Sequence, residues 1–171
     1  MTHAPPPSDA RLEGELRALA AFADAPVNAT DTFFDGFAEE SLVAEQPVYE
    51  SGATGEGLVI LLEGVLRVED PTLATLTNAG PILVSEPGAL LSRSSLLGAW
   101  PHRHTVRSAG PARIARLPRT WFEAGLQAGS PIARHLLLYI ATVAVEDLSG
   151  LNRAIRDLVQ LHASPSTEKE C

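Results

Sequence analysis

The chain of 171 residues carries 21 acidic and 13 basic side chains, a formal charge of −8, with 45% hydrophobic and 20% charged residues. That fits one globular domain with a sizeable core and excludes disorder over most of the length. Its longest strongly apolar stretch, residues 136–145, falls far short of the ~20 residues that span a bilayer, and the start MTHAPPPSDARLEGE has neither the basic region nor the apolar core of a signal peptide.

Residues 1–9 read as a Pro-rich, disordered leader. From 10 to 23, Leu12, Leu16, Leu19, Ala20 and Ala23 recur at helical spacing, which predicts an amphipathic helix. Residues 24–37 read as a loop or short helical turns. From 42 to 117, runs of Val, Ile and Leu alternate with Gly, Pro, Asn and Ser every eight to twelve residues, the punctuation of a β-sandwich or roll. Strands are expected at 41–44, 47–49, 58–62, 65–69, 73–77, 82–85, 104–108 and 113–117. Glu63-Gly64 reads as a tight hairpin turn in which glycine supplies the positive φ. After Pro118 the pattern turns helical: a short helix at 119–128, then a long one from Pro131 to about 162, with proline at a first-turn position. A polar tail, 163–171, closes the chain. The expected fold class is therefore mainly β with flanking helices, a jelly-roll-like β-roll (a double-stranded β-helix) over 41–118. An N-terminal helical part (10–40) precedes it and C-terminal helices (119–162) follow.

The long helix has a seam. Leu137, Ala141, Ala144, Leu148, Leu151, Ile155 and Leu158 follow one another at spacings of 4, 3, 4, 3, 4 and 3, a heptad rhythm that points to a homodimer through the helix's second half, the alternative being packing on the chain's own β-roll. Gly150 costs ~1 kcal/mol relative to alanine inside a helix, which allows a kink or break there.

Charge is unevenly spread. Residues 1–90 hold 15 acidic and 3 basic side chains, a balance of −12, and residues 91–171 hold 6 acidic and 10 basic, a balance of +4. Within 91–119 stand six arginines (Arg93, Arg103, Arg107, Arg113, Arg116, Arg119), His102 and His104, and no carboxylate. The abundant acidic side chains elsewhere give outward arginines ready ion-pair partners. The single cysteine, Cys171, rules out an internal disulfide and a CxxC zinc site. A cytoplasmic protein is expected.

Three segments carry a resemblance: Tyr49-Glu50-Ser51-Gly52, the strand-Gly-strand run from Leu58 to Val68 around Gly64, and Pro101-His102-Arg103-His104-Thr105-Val106-Arg107-Ser108. With the order of elements, they make residues 33–161 resemble the cyclic nucleotide-binding domain of the Crp/Fnr regulators and cyclic-nucleotide-gated proteins. The resemblance implies a non-enzymatic sensory, regulatory or scaffold module, without a protein cofactor or metal. In that family a phosphate-binding cassette supplies a Glu to the ribose hydroxyl and an Arg to the cyclic phosphate. Laid on this chain without gaps, anchored by Gly88 and Pro101, the family's Gly falls on Ser92, its Glu on Arg93, its Arg on His102 and the next hydroxyl on Arg103, with Ser94 inside the cassette. Losing two charge-assisted hydrogen bonds costs ~3–6 kcal/mol, roughly two to four decades of affinity, so weak or absent cyclic AMP binding is expected.

Other readings stay open at the same residues. His102 and His104 sit two apart on an expected strand, so both should face inward with Val106 while Arg103, Thr105 and Arg107 face outward. They could be neutral histidines hydrogen-bonded at a pocket wall, or a pH-gated site for another small anionic ligand or nucleotide. His-x-His on a β-roll also begins a cupin metal site, but no Glu follows nearby and the later histidines, His135 and His162, belong to the long helix. Ser92, Ser94 and Ser95 have no evident general base in sequence, and the glycine-rich run 52–57 lacks the GKS/T ending of a phosphate loop. A protein partner is the other expectation. DNA is not expected as a partner, because Crp-type regulators read it with a helix-turn-helix domain placed after the long helix, and no such segment follows residue 162; nor is a membrane.

Overall fold

A computed structural model describes residues 10–26, 31–70 and 80–163, with side chains described as far as residue 157. The chain divides into two compact units, Met1–Leu136 and Leu137–Cys171.

In the first unit, helix α1 (Ala10–Ala18) buries Leu12 and Leu16. It is shorter than its periodicity suggests. The chain leaves the helix after Ala18 through successive turns, with Phe22 N–H donating to the Leu19 carbonyl and Ala23 N–H to the same oxygen. This re-aims the segment: Ala21, Phe22 and Ala25 are buried while Ala20 and Ala23 face solvent. A 3-10 turn, Phe33–Gly36, follows. Its phenylalanines pack edge-to-face with Phe22, Phe37 and Phe122, a geometry that adds specific attraction to apolar burial.

Eight strands are found among the described residues: β1 (Ala38–Leu42), β2 (Pro47–Tyr49), β3 (Gly57–Glu63), β4 (Leu66–Glu69), β5 (Ile82–Val84), β6 (Leu90–Leu91), β7 (Thr105–Ser108) and β8 (Ala112–Pro118). They form two four-stranded antiparallel sheets, ordered β1-β8-β3-β6 and β2-β7-β4-β5. This is the expected β-roll. Its core is a cluster that includes Leu42, Val48, Val59, Leu61, Leu66, Val106 and Ile114. β3 is buried at every position from Leu58 to Leu62, because a 3-10 helix at Arg93–Leu96 and α2 (Arg119–Gln127) cover the face turned from that core. Burial on both faces is why its sequence is a continuous apolar run without alternation. Gly64 turns the β3–β4 hairpin at φ +95°, and a Cβ there would lie 2.6 Å from the Pro111 carbonyl oxygen.

β1 begins earlier than expected, at Ala38, because β8 pairs with it from Ala38↔Arg116 to Leu42↔Ala112. β6 was not anticipated; it is two residues long and pairs with β3 at Leu90 and Leu91. The strand expected at 73–77 lies outside the described residues.

Helix α3 (Pro131–Ala163) begins in the first unit, where Ile132, Ala133 and Leu136 are buried. In the second unit it continues without interruption through Gly150 to Ala163. Along that part Leu148, Leu151 and Ile155 are 61%, 57% and 49% exposed, and Ala141 and Ala144 are exposed as well. Among the described residues no single helix is long and apolar enough to cross a membrane.

Candidate functional site

A cavity of about 280 Å³ opens in the first unit, walled by β2, the loop that follows it, the start of β3, Ser92, His102 and the end of β8. The loop is held by a short antiparallel ladder: Gly52 N–H donates to the His102 carbonyl, His102 N–H to Ala53, and Gly55 N–H to Trp100. Gly55 has to be glycine for this approach, since a Cβ would lie 1.9 Å from Ser95 Oγ. The ladder fixes the backbone of His102, and the fixed backbone sets its ring.

That ring stacks on Tyr49, with centroids 4.0 Å apart and planes 17° from parallel. His102 Nδ1 lies 3.4 Å from Ser92 Oγ, which is 2.6 Å from the buried Ser95 Oγ. Burial, and then the Arg116 guanidinium, hold the imidazole below its ordinary pKa of 6.5, with Glu56 opposing. The neutral form is thereby favoured at neutral pH. Burial pushes the Tyr49 phenol up to about 12, with Arg116 opposing. Arg116 reaches the wall from β8 with Nε 2.6 Å from Glu40 Oε2 and Nη2 donating to the Val48 carbonyl at 3.0 Å.

Ser92 adopts the left-handed conformation, φ 59° and ψ 28°, immediately before a 3-10 helix at Arg93–Leu96. A non-glycine residue there carries a steric cost of roughly 1–2 kcal/mol. Glycine would meet no such cost at this position.

Of the seven residues singled out from sequence, Ser92 and His102 line the cavity. Gly88 turns the chain at φ +88° before β6, with its N–H bonded to the Leu61 carbonyl. Arg93 opens the 3-10 helix, half-buried and off the cavity wall, and Ser94 is exposed. Arg103 is exposed and its carbonyl accepts from Ser51 Oγ. The shared inward face expected for His102 and His104 does not form, because β7 starts only at Thr105 and the segment before it bends. His104 Nδ1 instead lies 3.2 Å from Asp70 Oδ2. Among the described residues no three His, Cys, Asp or Glu side chains gather as a metal-holding group. Tyr49, Glu56 and Arg116 line the cavity without having been picked as site residues. Tyr49 stood within one of the three quoted segments and Arg116 within the arginine-rich window, but only β2–β8 proximity brings them together.

No protein-family model and no curated relative matches the chain. Solved structures do. A protein of Geobacter metallireducens GS-15 assigned as cyclic nucleotide-binding superposes with a TM-score of 0.61 at 17% identity, over 79% of this chain and 96% of that one. The fold is that of a cyclic nucleotide-binding domain. The same fold is found at a TM-score of 0.61 in the catabolite activator protein of Thermus thermophilus, at 19% identity over 78% of this chain and 62% of that one. The N-terminal domain of a transcriptional regulator from Streptomyces coelicolor A3(2) gives 0.61 at 18% identity, over 78% and 94%. The 3-10 helix at Arg93–Leu96 lies between β6 and β7.

Proposed function

We propose that the chain is a non-enzymatic regulatory module that keeps the cavity of a cyclic nucleotide-binding domain without its usual cyclic phosphate recognition. The observation that carries this reading is His102: it stands at the cavity wall where the alignment puts the family's arginine, stacked on Tyr49 and held toward its neutral form. A neutral imidazole supplies neither the charge nor the paired donors of a guanidinium. Arg93, at the family's glutamate position, lies off the wall. The structural neighbours, among them one with Sp-2Cl-cAMPS bound to PKAR CBD2 (TM-score 0.57, 15% identity), support a regulatory role by likeness of fold. Isothermal titration with cyclic AMP and cyclic GMP tests the reading: no saturable heat in the micromolar range is expected, and low-micromolar affinity for either would contradict it.

The cupin alternative loses its support in the placement of the two imidazoles, one on Tyr49 and one beside Asp70. We further propose that the module is a homodimer through Leu137, Ala141, Ala144, Leu148, Leu151, Ile155 and Leu158 of α3. The heptad spacing and the exposure of Leu148, Leu151 and Ile155 support it.

A further inference from the structure

We infer that Ser92 and His102 form a nucleophile–base pair at the cavity wall, through which Ser92 takes up an acyl group from a small activated ester. Such a pair adds a chemical reactivity to the regulatory module proposed above and does not depend on it.

No base stands near Ser92 in the sequence; the fold brings one from ten residues further on. His102 Nδ1 lies 3.4 Å from Ser92 Oγ, within the loose reach that such pairs show before a substrate closes on them. Both residues line the cavity, so a ligand inside it meets the hydroxyl. The base is held on two sides: its backbone bonds to Ala53 and Gly52, and its ring stacks on Tyr49 with centroids 4.0 Å apart. Behind the hydroxyl, Ser95 Oγ lies 2.6 Å from Ser92 Oγ in a residue only 1% exposed. With Ser95 donating to Ser92, and Ser92 donating to a His102 that carries its own proton on Nε2, the chain of donors runs toward the imidazole.

The backbone points the same way. Ser92 holds φ 59° at the cavity wall, and strain of this kind in a non-glycine residue gathers at functional sites. Glycine would relieve it but would bring no hydroxyl. Burial, and then Arg116, keep the imidazole toward its neutral, proton-accepting form against the pull of Glu56. Arg93 and Arg103 do not line the cavity.

In the reaction, Ser92 Oγ bonds to the acyl carbon while its proton passes to His102 Nδ1. The tetrahedral adduct then collapses, the bond to the leaving oxygen breaks, and that oxygen departs with the electron pair. The imidazole gives its proton to the leaving group or to water, so the products are O-acyl-Ser92 and an alcohol or phenol. A cavity of about 280 Å³, with Val48, Leu58, Val59 and Leu117 in its wall, suits a short apolar acyl group.

p-Nitrophenyl acetate at neutral pH tests the pair, with p-nitrophenolate release followed by absorbance and the acetyl group located by peptide mass spectrometry. An acetyl group on Ser92 is expected, forming about a hundredfold more slowly in His102→Gln. Ser92→Gly, which glycine's freedom at this φ makes compatible with the fold, should lose that acetyl group altogether, and circular dichroism checks that both variants are folded. Acetylation only at other nucleophiles such as Lys169 or Cys171 overturns the inference. So does a Ser92 acetyl group that forms as fast in folded His102→Gln. The regulatory reading stands or falls separately, on the cyclic nucleotide titrations.

Discussion

His102 meets four groups at once: the Tyr49 ring on one face, Ser92 Oγ at Nδ1, and the opposed charges of Arg116 and Glu56 nearby. Its lowered pKa has a consequence for stability. An unfolded chain takes up the proton near 6.5 and the folded chain only at lower pH, so between those values the unfolded state holds more protons. Folded stability therefore falls as pH drops through 6.5 toward the folded-state value, and is fully present above 6.5. Denaturant midpoints measured at about pH 5 and about pH 7.5 should differ less in His102→Gln than in the unaltered chain. Equal differences would show that His102 contributes nothing to the acid sensitivity. Its environment was not readable from sequence, because the residues that create it lie on β2, the loop after it, the turn before the 3-10 helix at Arg93–Leu96, and β8.

At the scale of elements, periodicity succeeded where one strand or helix determines its own pattern and failed where a distant partner decides. β3 and α3 were legible from apolar runs and spacing alone. β1 was legible only in part: a strand was expected from Ser41, with Glu39 and Glu40 assigned to the N-terminal helical part, yet both sit in an edge strand where Arg113 and Arg116 of β8 meet them at 2.7 and 2.6 Å. The Arg113 hydrogen bond, with Arg11 adding to it, holds the Glu39 carboxyl below the usual carboxylate range despite some desolvation. α1 ended early for a similar reason, since burial of Phe22 among the phenylalanines overrides a helical spacing that runs on to Ala23. The second part of α3 offers the clearest element-scale prediction. Paired as a dimer seam, Leu148 and Leu151 each bury an apolar side chain worth roughly 1.5–3 kcal/mol, so Leu148→Glu/Leu151→Glu should shift the chain from dimer to monomer in sedimentation velocity. A monomer in the unaltered chain would refute the dimer; a dimer that survives the double substitution would place the interface elsewhere.

Over the whole molecule, the division of charge into −12 and +4 turns out to be a pattern of long-range pairing. Glu15, Glu39, Glu40, Glu50 and Glu63 from the acidic part meet Arg107, Arg113 and Arg116 from the basic part. Such pairs individually contribute little when exposed, and Arg116, though paired with Glu40, still acts on His102 and Tyr49 at the cavity wall. The order of elements made the fold legible. The cavity's electrostatics were not, because they depend on which arginine meets which glutamate across sequence gaps that no local pattern encodes. Under the proposed function, cyclic phosphate recognition fails because His102 and Arg93 stand where the family has arginine and glutamate. Cyclic AMP titrated into the unaltered chain and into His102→Arg, side by side, tests it most directly. One restored charge-assisted hydrogen bond should raise affinity roughly ten- to hundredfold. Low-micromolar binding by the unaltered chain, left unchanged by His102→Arg, would contradict the claim.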